Sequence, residues 1–133
     1  YLTKEEKEKI KMHTILGYEY LKKENHFNKN ILLGILDHHE RIDGSGYING
    51  KKEADISQHA KLIMVADIYD ALISDRIYRA GIKKELVSNY LLENAGKTLS
   101  IPVVQIFYNI TSTIDLESIF ELAEDAFEAG MYV

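Results

Sequence analysis

The chain has 133 residues, with 16 lysines and arginines against 21 acidic residues and a formal net charge of -5. That length suits one domain with its own core, burying roughly two-thirds of the unfolded surface, and the negative balance excludes broad binding to polymeric nucleic acid. Cysteine is absent, which excludes disulfides and thiolate sites, so any bound metal must take nitrogen and oxygen ligands.

No run of about eighteen apolar residues occurs and no basic-then-apolar leader opens the chain, so no membrane contact or signal peptide is expected and a cytoplasmic setting fits. Tyr1 stands where a start methionine would, just ahead of the first helix, which suggests a cut from a longer parent.

Thr3-Lys4-Glu5-Glu6 is a capping box, predicting a helix from about residue 4 to Lys23. Ile10, His13, Leu16, Gly17, Tyr20 and Leu21 recur at helical spacing and define one inner face that includes His13. Gly17 costs about 1 kcal/mol in a helix relative to alanine, which is justified where another element approaches closely. Residues 25–29 form a polar connection, and Asn30 is the expected cap of a short helix from Ile31 to about His39. His38 and His39 then fall at its C-terminal end.

Residues 42–56 carry Gly44, Gly46 and Gly50 with Ile42, Tyr47 and Ile48 interspersed, the pattern of an ordered loop with apolar anchors. Ser57 caps a nearly all-apolar and therefore central helix with Ala60, Ile63, Met64, Ala71 and Leu72. Asp67 and Asp70 share one of its faces and need partners there. Past its end stand Arg76 and Arg79. Beyond Lys83 the signals predict a helix to about Asn94, a break at Gly96, a helix begun by Ser100 and Pro102, and a third capped by Asp115. Leu86, Tyr90, Leu91, Val104, Phe107, Tyr108, Ile119, Phe120, Leu122 and Phe127 supply their apolar faces. No alternating strand runs occur, so the class is all-α with about six helices. We expect a single domain over 1–133, with the motifs in 2–80 and packing helices in 81–133.

The motifs come in four blocks: Leu2-Thr3 with Glu6, His13 and Gly17; His38-His39-Glu40-Arg41 with Asp43-Gly44-Ser45-Gly46-Tyr47; Val65-Ala66-Asp67-Ile68-Tyr69-Asp70-Ala71-Leu72; and Ser74-Asp75-Arg76 with Tyr78-Arg79. In that order they resemble the HD-GYP domain, a branch of the HD phosphohydrolases that hydrolyses cyclic di-GMP. The resemblance covers roughly residues 2–110. It implies that His13, His38, His39 and Asp67 are metal ligands and that Asp67 and Asp70 serve catalysis, Asp70 by orienting a neighbouring group. It also implies that Gly44, Gly46 and Tyr47 contact a guanine and that Arg76 and Arg79 hold phosphates. The implied cofactor is a divalent transition metal, iron, manganese or zinc, and the implied chemistry is metal-assisted hydrolysis of a phosphodiester.

Two departures stand out. The family's His-Asp dyad would precede the segment matching Leu2-Thr3, and Ile48 replaces the proline of Gly-Tyr-Pro, which removes a φ restraint. The expectation is one metal or none and impaired hydrolysis, with a catalytically inactive module binding a protein partner or cyclic dinucleotide as the alternative. Apolar surface uncovered by missing upstream helices points to a homodimer. Blander roles stay open for single residues: His13 as a core histidine, Tyr47 packed on its own loop, Arg76 and Arg79 paired with the aspartates, and Glu40 with Arg41 as a local ion pair.

Overall fold

Thr3 starts the first helix as its sequence requires. The computed structural model describes residues 3–74 and 82–114, and in it the Thr3 hydroxyl accepts from Glu6 N–H while Glu6 Oε2 accepts from Thr3 N–H, closing the capping box. The helix that follows is broken at Met12 into α1 (Lys4–Lys11) and α2 (His13–Lys23), where one uninterrupted helix was expected. Its inner face also differs: Ile10, Leu16 and Tyr20 are exposed and Thr14 is the buried residue of α2, which among the described residues packs mainly on α3.

Helix α3 (Lys29–Asp37) is capped by Asn28 rather than Asn30. Asn28 holds the extended conformation a cap needs, and its side-chain oxygen accepts from Asn30 N–H at 2.9 Å and Ile31 N–H at 3.1 Å. Asn28→Ala should therefore cost about 1 kcal/mol in chemical denaturation, with Asn30→Ala close to neutral. Equal losses at both positions would contradict this assignment.

A loop with a 3-10 turn at Glu53–Asp55 leads to α4 (Gln58–Ile73), where the Ser57 hydroxyl accepts from Ala60 N–H at 3.1 Å. This helix is central as expected, packing on α3 and on both α5 (Lys84–Asn94) and α6 (Ile101–Thr113). Its buried stripe is Ala60, Met64, Val65 and Tyr69, which meets Val87 and Leu91 of α5 and Val103 and Val104 of α6. Tyr69 also takes the edge of Phe107 at 5.1 Å between ring centroids.

Some apolar residues stay outside this core. Leu62 and Ile63 of α4 are exposed, so the helix is two-faced. Leu86 and Tyr90 are likewise exposed, because α5 turns Val87 and Leu91, four apart, toward α4 instead, and Tyr108 of α6 is exposed too. Pro102 sits in the first turn of α6 as predicted. The class is all-α, and among the described residues the sheet-type pairings are two isolated bridges. None of the described helices is long and apolar enough to cross a membrane. Arg76, Arg79 and everything from Asp115 onward, including the predicted third C-terminal helix, lie outside the described residues.

Candidate metal centre

Two glycines lie where the three helices that build the site meet. Gly17 of α2 faces Ile35 of α3 so closely that an added Cβ would lie 3.2 Å from Ile35 Cγ2, which bears out the close approach expected at this glycine. Gly34, the preceding residue of α3, faces α4, where an added Cβ would meet the Cδ1 tip of Ile63 at 2.8 Å. One turn from Gly17 stands His13, one turn from Ile35 stands His38, and one turn from Ile63 stands Asp67. Close packing at the glycines therefore brings these side chains toward one point.

The histidines meet there. His13 and His38 face each other through their Nε2 atoms at 3.3 Å, and His39 lies beside them, tilted against His38 at 4.1 Å and edge-on to His13 at 5.0 Å between ring centroids. One ligand atom from each of the three falls within 4.8 Å of the others. Backbone carbonyls fix the tautomers. His13 Nδ1 lies 2.6 Å from Ile10 O and His38 Nδ1 lies 2.7 Å from Ile35 O, and since a carbonyl only accepts, each Nδ1 carries the proton. In the neutral form of both rings the two Nε2 atoms then present lone pairs to one another.

Two lone pairs at that distance repel unless an electron-poor centre lies between them. Nitrogens held tetrahedrally at about 2.0–2.1 Å from one zinc ion are about 3.3–3.4 Å apart, which is the separation found here. Second-sphere carbonyls on Nδ1 are also the usual way a metal-binding imidazole is oriented. The residues present thus fit a divalent metal with nitrogen ligands.

Burial, followed by the charge of the neighbouring His38, pushes His39 down to about 4, outweighing the opposite pull of Asp67, so at neutral pH it is an uncharged imidazole. Its 3.9 Å separation from Asp67 Oδ2 is therefore no ion pair at that pH, although the distance alone would allow one. Asp67 stays about half exposed at the rim of the cluster and Asp70 is exposed, accepting a 3.1 Å bond from the Ser74 hydroxyl. Neither carboxylate is buried among apolar residues, so the expected need for partners does not arise from burial.

The glycine loop closes over the pair. Tyr47 N–H donates to His39 O at 3.1 Å, and the Tyr47 ring stacks on His39 at 4.7 Å with Lys11 Nζ 5.6 Å from its centroid. Burial raises the Tyr47 hydroxyl above its ordinary value. Gly44 has φ +86°, a conformation reserved for glycine, and Gly46 packs directly on the backbone of Glu40 and Arg41. The Tyr47–Ile48 peptide bond is cis. Ser45 N–H and hydroxyl both donate to Asp43 Oδ1, holding that exposed carboxyl below its usual range.

Glu40 does not take up the local ion pair with Arg41 that stood open as its blander role. It is fully buried, with Oε1 accepting from Asn49 N–H at 2.7 Å and Oε2 from Lys51 N–H at 2.8 Å, while Arg41 Nη1 donates to Glu40 O. Asp37, on the other side of the histidine pair, is 1% exposed and takes Lys51 Nζ on both oxygens, at 2.9 and 2.8 Å. Sequence reading missed Asp37 and Lys51. The one available signal was an acid on each side of a histidine pair.

Comparison with known proteins fits this geometry. The family model described as HD domain matches residues 1–99, and the chain belongs to that family. Within it the chain is of the HD-GYP type, as its relatives show. A cyclic di-GMP phosphodiesterase of Thermotoga maritima is 37% identical over 116 residues, 85% of this chain and 31% of that protein. A cyclic di-GMP phosphodiesterase of Borreliella burgdorferi is 31% identical over 125 residues, 94% of this chain and 33% of the relative. A cyclic di-GMP phosphodiesterase response regulator of Xanthomonas campestris pv. campestris is 38% identical over 97 residues, 72% of this chain and 26% of the relative. The chain spans about a third or less of the length of these curated relatives.

Proposed function

We propose that this chain carries the metal-binding and substrate-facing part of a cyclic di-GMP phosphodiesterase acting in a cytoplasmic signalling protein. The observation that carries the reading is the pair of tautomer-fixed Nε2 atoms facing each other at 3.3 Å. His13, His38 and His39 hold a divalent metal, iron, manganese or zinc, with Asp67 as the oxygen donor at the rim. Such an ion supplies charge neutralisation at phosphorus and an acidified water at neutral pH. Asp70 orients a neighbouring group from one turn along α4. Tyr47 shields one face of His39 from water and, with the turn through Gly44 and Gly46, forms the guanine side of the site. Arg76 and Arg79 take the phosphates, which a chain of net charge -5 can attract only through local cations.

The 133 residues contain no His-Asp dipeptide, so we expect hydrolysis by this chain alone to be slow. With Ile48 after Tyr47, that feature supports a second reading, a module that binds the dinucleotide or a protein partner without cutting it. The purified chain, loaded with manganese or ferrous iron, should give heat on calorimetric titration with cyclic di-GMP and a trace of linear dinucleotide by chromatography. Dinucleotide binding without product would favour the second reading. Neither metal uptake nor dinucleotide binding would overturn both.

A further inference from the structure

We infer that Asp37, Glu40 and Lys51 form a clamp that positions the two histidines between them, a role resting on the metal-site reading above. Lys51 is gripped at both ends. Its ammonium lies between the oxygens of Asp37, and its backbone N–H donates to Glu40 Oε2. The two acids flank His38-His39 in the chain, so the clamp ties both ends of the histidine pair to a single residue of the loop that covers it. Asp37 O also accepts from Glu40 N–H at 2.9 Å, so the two acids are joined to each other as well as to Lys51.

The placement of the charges argues for this role. Asp37 is the last residue of α3, where the carbonyl end of the helix disfavours an anion, and it is 1% exposed. A carboxylate in such a position persists only with a cation that satisfies both oxygens, and Lys51, still about a quarter exposed, does so. An apolar pair could fill the same space, but without direction. A bidentate ion pair combined with a backbone bond from the same residue fixes where His38 and His39 point after the helix has ended. All three would act on the metal through the histidines that they hold, which makes them positioning residues.

The test uses the full 133-residue chain with cobalt(II) as the metal probe. Asp37→Asn and the paired change Asp37→Leu with Lys51→Met should each weaken cobalt binding by about tenfold or more, the usual cost of disturbing what orients a ligand. The paired change removes both charges together, so in metal-free buffer it should melt close to the unchanged chain. Nitrogen-detected NMR of the metal-free protein should show a single Nδ1–H tautomer for His38 in the unchanged chain and averaged signals in the paired variant. Unchanged cobalt affinity in Asp37→Asn, or in a stably folded paired variant, would overturn the clamp. Should the unchanged chain bind no cobalt, the metal-site reading falls and the tautomer signals decide: averaging only in the variant supports the clamp, and one tautomer in both overturns it.

Discussion

Replacing Gly46 by alanine is expected to destabilise the chain by about 3 kcal/mol, at the upper end for overpacking. An added Cβ would overlap the backbone N of Arg41 and the carbonyl carbon and Cα of Glu40. These are backbone atoms, and Glu40 is held on both carboxylate oxygens, so neither partner can step aside. The loop cannot yield either, since Tyr47 N–H is bonded to His39 O on the next residue. In a chain of this size the loss corresponds to roughly 10 °C in melting temperature. Gly34→Ala provides the comparison: its Cβ would press on Ile63 Cδ1, the free end of a side chain 40% exposed, which can rotate away for well under 1 kcal/mol. Equal melting of Gly46→Ala and the unchanged chain would show that the loop does not pack on residues 40 and 41 in solution.

What the sequence disclosed divides by the range of the interaction. Helix starts at Thr3, Ser57 and Pro102 are written in a few adjacent residues, and the structure has them where those residues stand. Asn28 and Asn30 show the limit of that reading, because both are good caps and only the path of residues 25–29 decides between them. The faces of α5 were misjudged for a similar reason: Leu86 and Val87 are both apolar neighbours, and which one turns inward depends on where α4 lies. The clamp was less legible still. Asp37 and Lys51 are 14 residues apart, and Glu40 meets Lys51 across 11, with no periodicity linking them. Adjacent charges at Glu40 and Arg41 suggested a local pair, but the tight packing of Gly46 turns the carboxylate inward instead. The meeting of His13 with His38 follows from the close approach at Gly17, which the sequence implied without saying to what.

Removing one imidazole should separate the metal's contribution from that of the fold, and His13 is the position where the separation is cleanest. Its ring is exposed, so His13→Ala uncovers little and loses a bond to Ile10 O that water can replace, with the edge contacts to His38 and His39. It also relieves the confrontation of two lone pairs at 3.3 Å. In chelator-treated buffer the variant should therefore melt within about 2 °C of the unchanged chain or slightly above it. Added metal should reverse the order. At a hundredfold excess over its dissociation constant a bound ion stabilises the folded state by about 2.7 kcal/mol, or roughly 10 °C here, and none of that should appear in His13→Ala at the same concentration. The corresponding loss of affinity is at least about a hundredfold, beyond what changes outside the ligand set produce. An undiminished metal shift would remove His13 from the ligand set. A metal-free loss as large as the shift itself would assign the residue to the fold instead, and the 3.3 Å separation would then need a proton in place of a metal.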